Sequence, residues 1–199
     1  MAASSLSCIL LAAGCSSRMN KVKALLQWQG TSLIAYQIKA IHSSGIKEIV
    51  VVLGFRAHEL KKELDGHFVK LVINPDYSSG KCSSIRAGCH GMDNHSTGAL
   101  IAAVDQPLLP GVLCQMDKFH QSDPESIIIP VHNGKRGHPI LLPNHLYPEL
   151  LLISEETEGL RNIIRRHHNK VKFMETDNPS ILLNLNTPAD YEAAYREDL

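Results

Sequence analysis

The feature that most constrains this chain is its first apolar run, residues 6–13, which stops at Gly14 and leads into small residues and cations. A continuous apolar run that ends at a glycine is typical of a strand followed by a turn. Gly14 gives the backbone freedom for a sharp turn and leaves no Cβ between the main chain and a ligand. The next three residues are small enough for successive N–H groups to form a concave surface for phosphate oxygens: Cys15, Ser16 and Ser17.

Two cations complete this stretch. Arg18 presents a planar fork of donors and Lys23 a mobile point charge. The stretch therefore predicts a strand that leads into a polyanion-binding loop. The alternative is an ordinary turn with exposed basic residues, and Lys21 competes with Lys23 as the phosphate lysine.

Strands and helices alternate along the rest of the chain. Residues 48–53 form a β-branched run bounded by Gly54, which is typical of a strand covered on both faces. Apolar residues recur at helical spacing between residues 33 and 41, and Gly45 ends that helix. Further strands are predicted at 69–73, 99–104, 127–130, 140–142, 171–174 and 181–185. Further helices are predicted at 57–64, 110–119, 144–152 and 159–168. Residues 77–88 are predicted to be a loop that runs into a helix. A terminal helix is predicted to begin at Pro188, with Thr187 as its N-cap.

This alternation predicts a single α/β domain over residues 1–199, a three-layer fold with a mostly parallel sheet. Ligands of such sheets bind beyond the carboxyl ends of the strands. That rule places four features on one rim of the sheet: the Gly14 loop, the Gly80 loop, Asp105 and Asn186.

Composition limits the partners. Twenty Lys and Arg residues balance twenty Asp and Glu residues, so a polyanion must be bound by a local cluster, and nucleic acid is not an expected partner. Five cysteines without a C-x-x-C pair indicate free thiols in a reducing compartment. No signal segment is recognisable and no apolar run reaches the ~18 residues of a membrane span. We therefore expect a cytoplasmic protein with no membrane partner.

Asp105 is the candidate metal ligand. It follows an apolar run and precedes Gln106-Pro107, so its carboxylate is expected in the crevice beside the first loop, where a hard oxygen ligand suits Mg²⁺. A turn aspartate is the alternative. Asn186 is expected at the end of the last strand, as a second, weaker ligand or as an Asx-turn residue. A basic loop, a metal carboxylate and no covalent nucleophile together favour phosphoryl or nucleotidyl transfer.

Other nucleotide-binding motifs do not fit. The chain has no G-x-x-x-x-G-K-[ST] element, and its first loop lacks G-x-G-x-x-G.

In the first loop and around Asp105, the sequence resembles the molybdenum-cofactor nucleotidyltransferases, and most of all their cytidylyltransferase branch. The signature L-A-A-G-x-S-x-R-M-G-x-x-K matches residues 11–23, with Asn20 in place of its second glycine. A G-to-S element, the V-D-x-P motif, G-H-P and G-x-R follow in order at Gly80 with Ser84, residues 104–107, residues 137–139 and residues 159–161. The resemblance implies a Rossmann-like nucleotidyltransferase fold with a mixed sheet.

The resemblance also implies roles for individual residues. Arg18, Lys23 and Asp105 are implied as catalytic, Asp105 and Asn186 as Mg²⁺ ligands, and His138 and Arg161 as contacts to the acceptor. Nucleotide binding is implied for Leu11, Ala12, Ala13, Gly14, Ser16, Arg18, Lys23, Gly80, Ser84 and Asp105.

The chain departs from this pattern at three further positions. Asn184 and Asn186 stand where the cytidylyl branch has aspartates, a form closer to the guanylyl branch, and Thr157 replaces an aspartate near the G-x-R element.

The leading hypothesis is Mg²⁺-dependent transfer of CMP from CTP to an anionic phosphorylated acceptor, molybdopterin, with release of pyrophosphate. Transfer of GMP from GTP, or of a nucleotide to a sugar phosphate, is the alternative on the same fold. The alternative from another class is a non-catalytic nucleotide-binding accessory module.

Overall fold

The computed structural model describes residues 5–15, 19, 21–93 and 95–196. The predictions for Ser16, Ser17 and Arg18, and the departure at Asn20, lie outside the described residues.

A central sheet of eight strands organises the molecule. Its strands are β1 (Leu6–Ala12), β4 (Glu48–Leu53), β5 (Lys70–Ile73), β6 (Gly98–Ala103), β7 (Ile127–His132), β8 (Lys135–Arg136), β9 (Ile140–Pro143) and β10 (Val171–Glu175), in the order β10-β7-β9-β6-β1-β4-β5 with β8 beside β7. Only β8 and β9 among these strands run against the rest. A separate hairpin pairs β2 (Gln27–Trp28) with β3 (Thr31–Ser32). The sheet is therefore mixed and mostly parallel, as predicted.

Helices cover both faces of the sheet. They are α1 (Leu33–Ser43), α2 (Ala57–Glu63), α3 (Lys81–Gly91), α4 (Pro110–Ser122), α5 (Tyr147–Leu150), α6 (Leu160–Arg166) and α7 (Pro188–Arg196). Alternate side chains of β1 enter two different cores: Leu10 packs in one with residues of α1, α2, α4 and α7, and Ile9 in the other with residues of α3, α5 and α6. This arrangement confirms the predicted three layers, because a strand with apolar residues at every position needs cover on both sides. No helix of the described residues is long and apolar enough to cross a membrane.

The predicted strand at 181–185 is wrong. The chain there forms a 3-10 turn, Pro179–Leu182, whose start is capped by the Asn178 side chain accepting from Ser180 N at 2.9 Å. Ile181 and Leu185 are both buried, so their hydrophobicity reflects two separate anchors in the core and not a ladder position. Asn186 accordingly lies in the loop before α7 and not at a strand end.

The predicted loop that runs into a helix at 77–88 is confirmed, and the helix takes up most of it. A 3-10 turn, Tyr77–Ser79, leads through Gly80 directly into α3, so Ser84 lies in the first turns of a helix. The predicted helix at 144–152 is shorter, a 3-10 turn followed by the single turn of α5. The predicted cap of the last helix is confirmed: Asp190 N donates to Thr187 Oγ1 at 3.2 Å and Thr187 N donates to Asp190 Oδ2 at 2.8 Å.

Candidate active site

One cavity lies where the order of the strands reverses. The chain goes from β1 to β4 and β5 on one side and then crosses to β6 on the other, which leaves a crevice beyond the carboxyl ends of β1 and β6. A cavity of about 460 Å³ opens there. Its lining is Leu11, Ala13, Gly14, Cys15, Lys23, Tyr77, Ser78, Gly80, Lys81, Ser84, Ala103, Val104 and Asp105. We call it the nucleotide cavity.

Gly14 and Cys15, directly after β1, line this cavity. Gly14 does not have a positive φ, and a Cβ built on it would meet no atom within 4 Å. Gly14 therefore does not use the left-handed backbone conformation that would require glycine. The absence of a side chain facing the cavity is the remaining reason for glycine at this position.

Tyr77 closes one wall of the cavity. A Cβ on Gly54 would lie 2.6 Å from the Tyr77 Cβ and 2.8 Å from the Ala13 carbonyl oxygen, so the ring packs over the strand ends only because residue 54 is glycine. Phe55 N donates to Ala13 O at 3.0 Å and fixes the end of β1 against the loop after β4.

The start of α3 forms the facing wall. Gly80 has φ 116° and ψ −179°, a conformation that favours glycine, and a Cβ there would overlap the Glu155 carboxylate. That carboxylate accepts from Cys82 N at 2.8 Å. Ser84 lines the cavity while its hydroxyl accepts from the buried Asn74 Nδ2 at 3.0 Å. Both residues of the predicted G-to-S element therefore lie at the cavity.

A buried glutamine of α1 holds the loop that carries Asp105. Gln37 has no exposed surface, and its Nε2 donates to Gln106 O at 2.8 Å and to Val104 O at 3.1 Å. Its Oε1 accepts from Leu108 N at 3.0 Å. These bonds satisfy the backbone of a loop that has left the sheet, and the cost of leaving such groups unpaired fixes the loop. Gln37 therefore positions Asp105, whose carbonyl also accepts from Leu185 N at 2.8 Å.

Lys23 connects the two predicted metal ligands. Its Nζ donates to Asp105 Oδ2 at 2.7 Å and to Asn186 Oδ1 at 3.0 Å, and the residue is only 8 % exposed. Lys21 is exposed and does not line the cavity. The Asp105 carboxylate and the Asn186 amide oxygen thus both contact the Lys23 ammonium.

A second cavity of about 520 Å³ adjoins the first, and we call it the acceptor cavity. It is lined by Lys81, Cys82, Ile85, His138, Ile140, Glu155, Glu158, Gly159, Leu160, Arg161 and Ile164. His138 is held there by its backbone, since His138 N donates to Ile181 O at 2.9 Å and a Cβ on Gly137 would lie 2.6 Å from that same oxygen. The His138–Pro139 peptide is cis.

Two residues of the acceptor cavity, His138 and Lys81, have lowered pKa values. Burial lowers the pKa of His138, and the neighbouring Lys81 charge lowers it further, so the imidazole is neutral at pH 7. The Lys81 side chain is open to the cavities yet surrounded by protein, and this desolvation lowers the pKa of its ammonium, against the opposing effects of Asp105, Cys82 and Glu155.

The structure brings most of the sequence-predicted residues together. Those on the nucleotide cavity are Leu11, Ala13, Gly14, Lys23, Gly80, Ser84 and Asp105, with Asn186 beside them on Lys23. His138 and Arg161 lie in the acceptor cavity. Ala12 does not line either cavity, because the alternation of β1 turns its side chain into the core on the opposite face.

Four residues of the site were not predicted: Gln37, Tyr77, Lys81 and Glu155. The signal for Gln37 was available, since it lies three residues after Ile34 and four before Ile41, inside an apolar helical stripe. For Lys81, the sign was its place directly after Gly80 in the predicted G-to-S element. Nothing local in the sequence marks Tyr77 or Glu155, whose contacts are formed between distant segments.

This fold, with a cavity built from the first loop and the V-D-x-P loop, is that of a nucleotidyltransferase. The chain has a TM-score of 0.84 to the solved "nucleotidyl transferase from Methanothermobacter thermautotroptrophicus", at 24% identity and covering 96% of each chain. A family model described as "MobA-like NTP transferase domain" matches residues 8–171. The chain therefore belongs to the MobA-like NTP transferase family, which confirms the resemblance seen in its motifs.

Curated relatives carry different names. The chain is 28% identical over 192 residues to a molybdenum cofactor cytidylyltransferase of Escherichia coli, covering 96% of both. It is 29% identical over 174 residues to a nicotine blue oxidoreductase of Paenarthrobacter nicotinovorans, covering 79% of this chain and 80% of the relative. It is 27% identical over 192 residues to a probable molybdenum cofactor guanylyltransferase of Bacillus cytotoxicus, covering 92% of both. Family membership alone therefore does not identify the substrates.

Proposed function

We propose that this chain transfers CMP from CTP to the phosphate of molybdopterin and releases pyrophosphate, in the cytoplasm. The observation that carries the proposal is the convergence of Lys23, Asp105 and Asn186 at the rim of the nucleotide cavity. Three parts of the chain far apart in sequence meet there, and they offer one ammonium, one carboxylate and one amide oxygen beside Gly14. This set suits a triphosphate together with the cation that balances its charge. None of the three groups is a covalent nucleophile.

The reaction needs positioning more than chemistry from the protein. An oxygen of the acceptor phosphate attacks the α-phosphorus of CTP, the bond to the β-phosphate bridging oxygen breaks, and pyrophosphate leaves with that electron pair. Lys23, together with Arg18 of the first loop, would neutralise charge on the leaving pyrophosphate. The attacking phosphate is already ionised at neutral pH, so no general base is required.

The residues at the rim also fit Mg²⁺. Asp105 Oδ2 and Asn186 Oδ1 approach the same cation, Lys23 Nζ, and both are hard oxygen donors of the type Mg²⁺ takes in small number beside phosphate oxygens and water. The described residues hold no cluster of three or more His, Cys, Asp or Glu side chains suited to a metal. When bound through these two residues, Mg²⁺ would supply neutralisation of the triphosphate charge.

CTP is favoured over GTP by three motifs. The L-A-A-G form of the first loop, the G-to-S element and G-H-P all match the cytidylyl branch, and a curated cytidylyltransferase is similar over 96% of the chain. The second candidate is GTP. The amide at Asn186 favours it, because the guanylyl branch resembles this chain there, and a probable guanylyltransferase is also similar over 92% of the chain.

The test places CTP and GTP side by side. Purified protein with Mg²⁺ and molybdopterin is assayed for pyrophosphate release with each nucleotide. We expect release with CTP at a rate at least about tenfold above GTP. Asp105→Asn should reduce the rate by about 100-fold or more, while the exposed Asp65→Asn serves as the matched control. Release with GTP alone would replace the proposal by the guanylyl alternative, and release with neither nucleotide would favour an accessory module.

A further inference from the structure

One side chain belongs to both cavities. Lys81 is the only described residue that lines both the nucleotide cavity and the acceptor cavity. Asp105 stands on the nucleotide side of it and Glu155 on the acceptor side, and both carboxylates act on its charge. Lys81 thus lies at the boundary between the two cavities.

The charges of the acceptor cavity are unevenly satisfied. Both of its acidic side chains have partners: Glu155 accepts from Cys82 N at 2.8 Å, and Glu158 pairs with Arg165 at 2.7 Å. The side chains of Lys81 and Arg161 make no hydrogen bond or salt bridge with any residue in the described ranges. The Glu158 charge is balanced by Arg165, and Glu155 has a hydrogen bond but no salt bridge among the described residues. The two cations therefore outnumber the one remaining carboxylate, so the lining keeps a net positive charge, which suits an anion.

Helix stability does not explain a lysine at this position. Lys81 is the first residue of α3, where the helix dipole is positive and disfavours a cation. The helix dipole disfavours this charge, and the Lys81 side chain has no hydrogen-bond or salt-bridge partner among the described residues. Contact with a ligand in the cavities explains the lysine better than helix stability does.

Nucleotidyl transfer to a phosphate brings two anions together. The acceptor phosphate must approach the α-phosphate to within bonding distance, and their repulsion opposes this approach. A cation at the boundary that contacts both phosphates lowers that repulsion and fixes the angle of attack.

We propose that Lys81 binds the attacking phosphate of the acceptor and holds it against the α-phosphate of the nucleotide, with Arg161 binding the same phosphate from the other side. This inference rests on the proposed function and assigns the acceptor end of the site. Lys81 is then a catalytic residue, distinct from Lys23, which serves the triphosphate.

The kinetic test separates the two substrates. Lys81→Gln should raise the KM for molybdopterin and lower kcat, with kcat/KM down by about tenfold or more, because a charge-assisted contact is lost. The affinity for CTP with Mg²⁺, measured by calorimetry without acceptor, should change by less than about threefold. Lys81→Arg should recover most of the loss, and Lys62→Gln on the exposed face of α2 is the control. A Lys81→Gln enzyme that binds CTP as poorly as it uses the acceptor would overturn the assignment.

A binding test keeps this inference separate from the proposed function. Phenyl phosphate is titrated onto protein saturated with a CTP analogue that has a methylene between the α- and β-phosphates. Wild type should bind the probe and Lys81→Gln should bind it at least about tenfold more weakly. If transfer from CTP fails but this difference is found, only the proposed function is lost. Equal binding by the two proteins, or none by wild type, would overturn the role of Lys81 whether or not transfer occurs.

Discussion

Replacing Gln37 by leucine should damage the site without touching a ligand. The change keeps a side chain of similar size but removes the groups that satisfy Gln106 O and Leu108 N, at 2.8 and 3.0 Å, in a fully buried setting. A buried backbone group left unpaired costs about 1–3 kcal/mol. Two such groups, with partial compensation by water, give an expected loss of about 3 kcal/mol in the free energy of unfolding. For a chain of this size that corresponds to a fall in Tm of roughly 6–12 °C.

The same substitution should also weaken nucleotide binding, because the loop that Gln37 holds carries Asp105. Urea unfolding at 25 °C gives the stability, and calorimetric titration with CTP and Mg²⁺ below the unfolding transition gives the affinity, which we expect to fall by about tenfold. Gln115→Leu, on an exposed position of α4, is the control and should change the stability by less than about 0.5 kcal/mol. A Gln37→Leu protein as stable as the control, or one that binds CTP normally, would refute the reasoning.

Three further predictions follow from the geometry. Lys23→Met should weaken CTP binding in calorimetry by at least about tenfold, since it removes the cation between Asp105 and Asn186; unchanged affinity would contradict the role of Lys23. Gly80→Ala should lower the free energy of unfolding in urea by about 1–3 kcal/mol. Adding Glu155→Ala to that variant should recover only part of the loss, because the overlap with the carboxylate disappears while φ 116° remains; full recovery would contradict backbone strain at residue 80. Burial lowers the pKa of His120, so its contribution to stability is present above about pH 6.5 and is lost as pH falls through the folded-state pKa. His120→Gln should therefore flatten the acid side of a profile of unfolding free energy measured from pH 5 to 8, and an unchanged profile would contradict this.

Most strands of the sheet could be predicted from the sequence because the central strands are apolar at nearly every position. The prediction at 48–53 matches β4 residue for residue, and that at 6–13 exceeds β1 by one. The strand-end rule also placed Gly14, Gly80 and Asp105 on one cavity, since it depends only on strand direction. The mistaken strand at 181–185 shows the limit of this reasoning, because single buried anchors such as Ile181 look like strand positions until the capped turn before them is known.

What could not be predicted are contacts between distant segments. Lys23, Asp105 and Asn186 meet through a single ammonium, although 163 residues separate the first from the last. The bond from Gln37 to Gln106 spans 69 residues, and that from Cys82 to Glu155 spans 73. Local pattern contains no information on such pairs, so the sequence indicated which residues form the rim but not that Gln37 supports it or that Lys81 joins two cavities.

The destination of the phosphates tests the central claim most directly. The protein is incubated with Mg²⁺, molybdopterin and CTP labelled either at the α- or at the γ-phosphate, and the products are separated. Nucleotidyl transfer predicts that the α-label appears in the acceptor product and that the γ-label leaves as pyrophosphate. A γ-label on the acceptor, or both labels remaining in CTP, would contradict it.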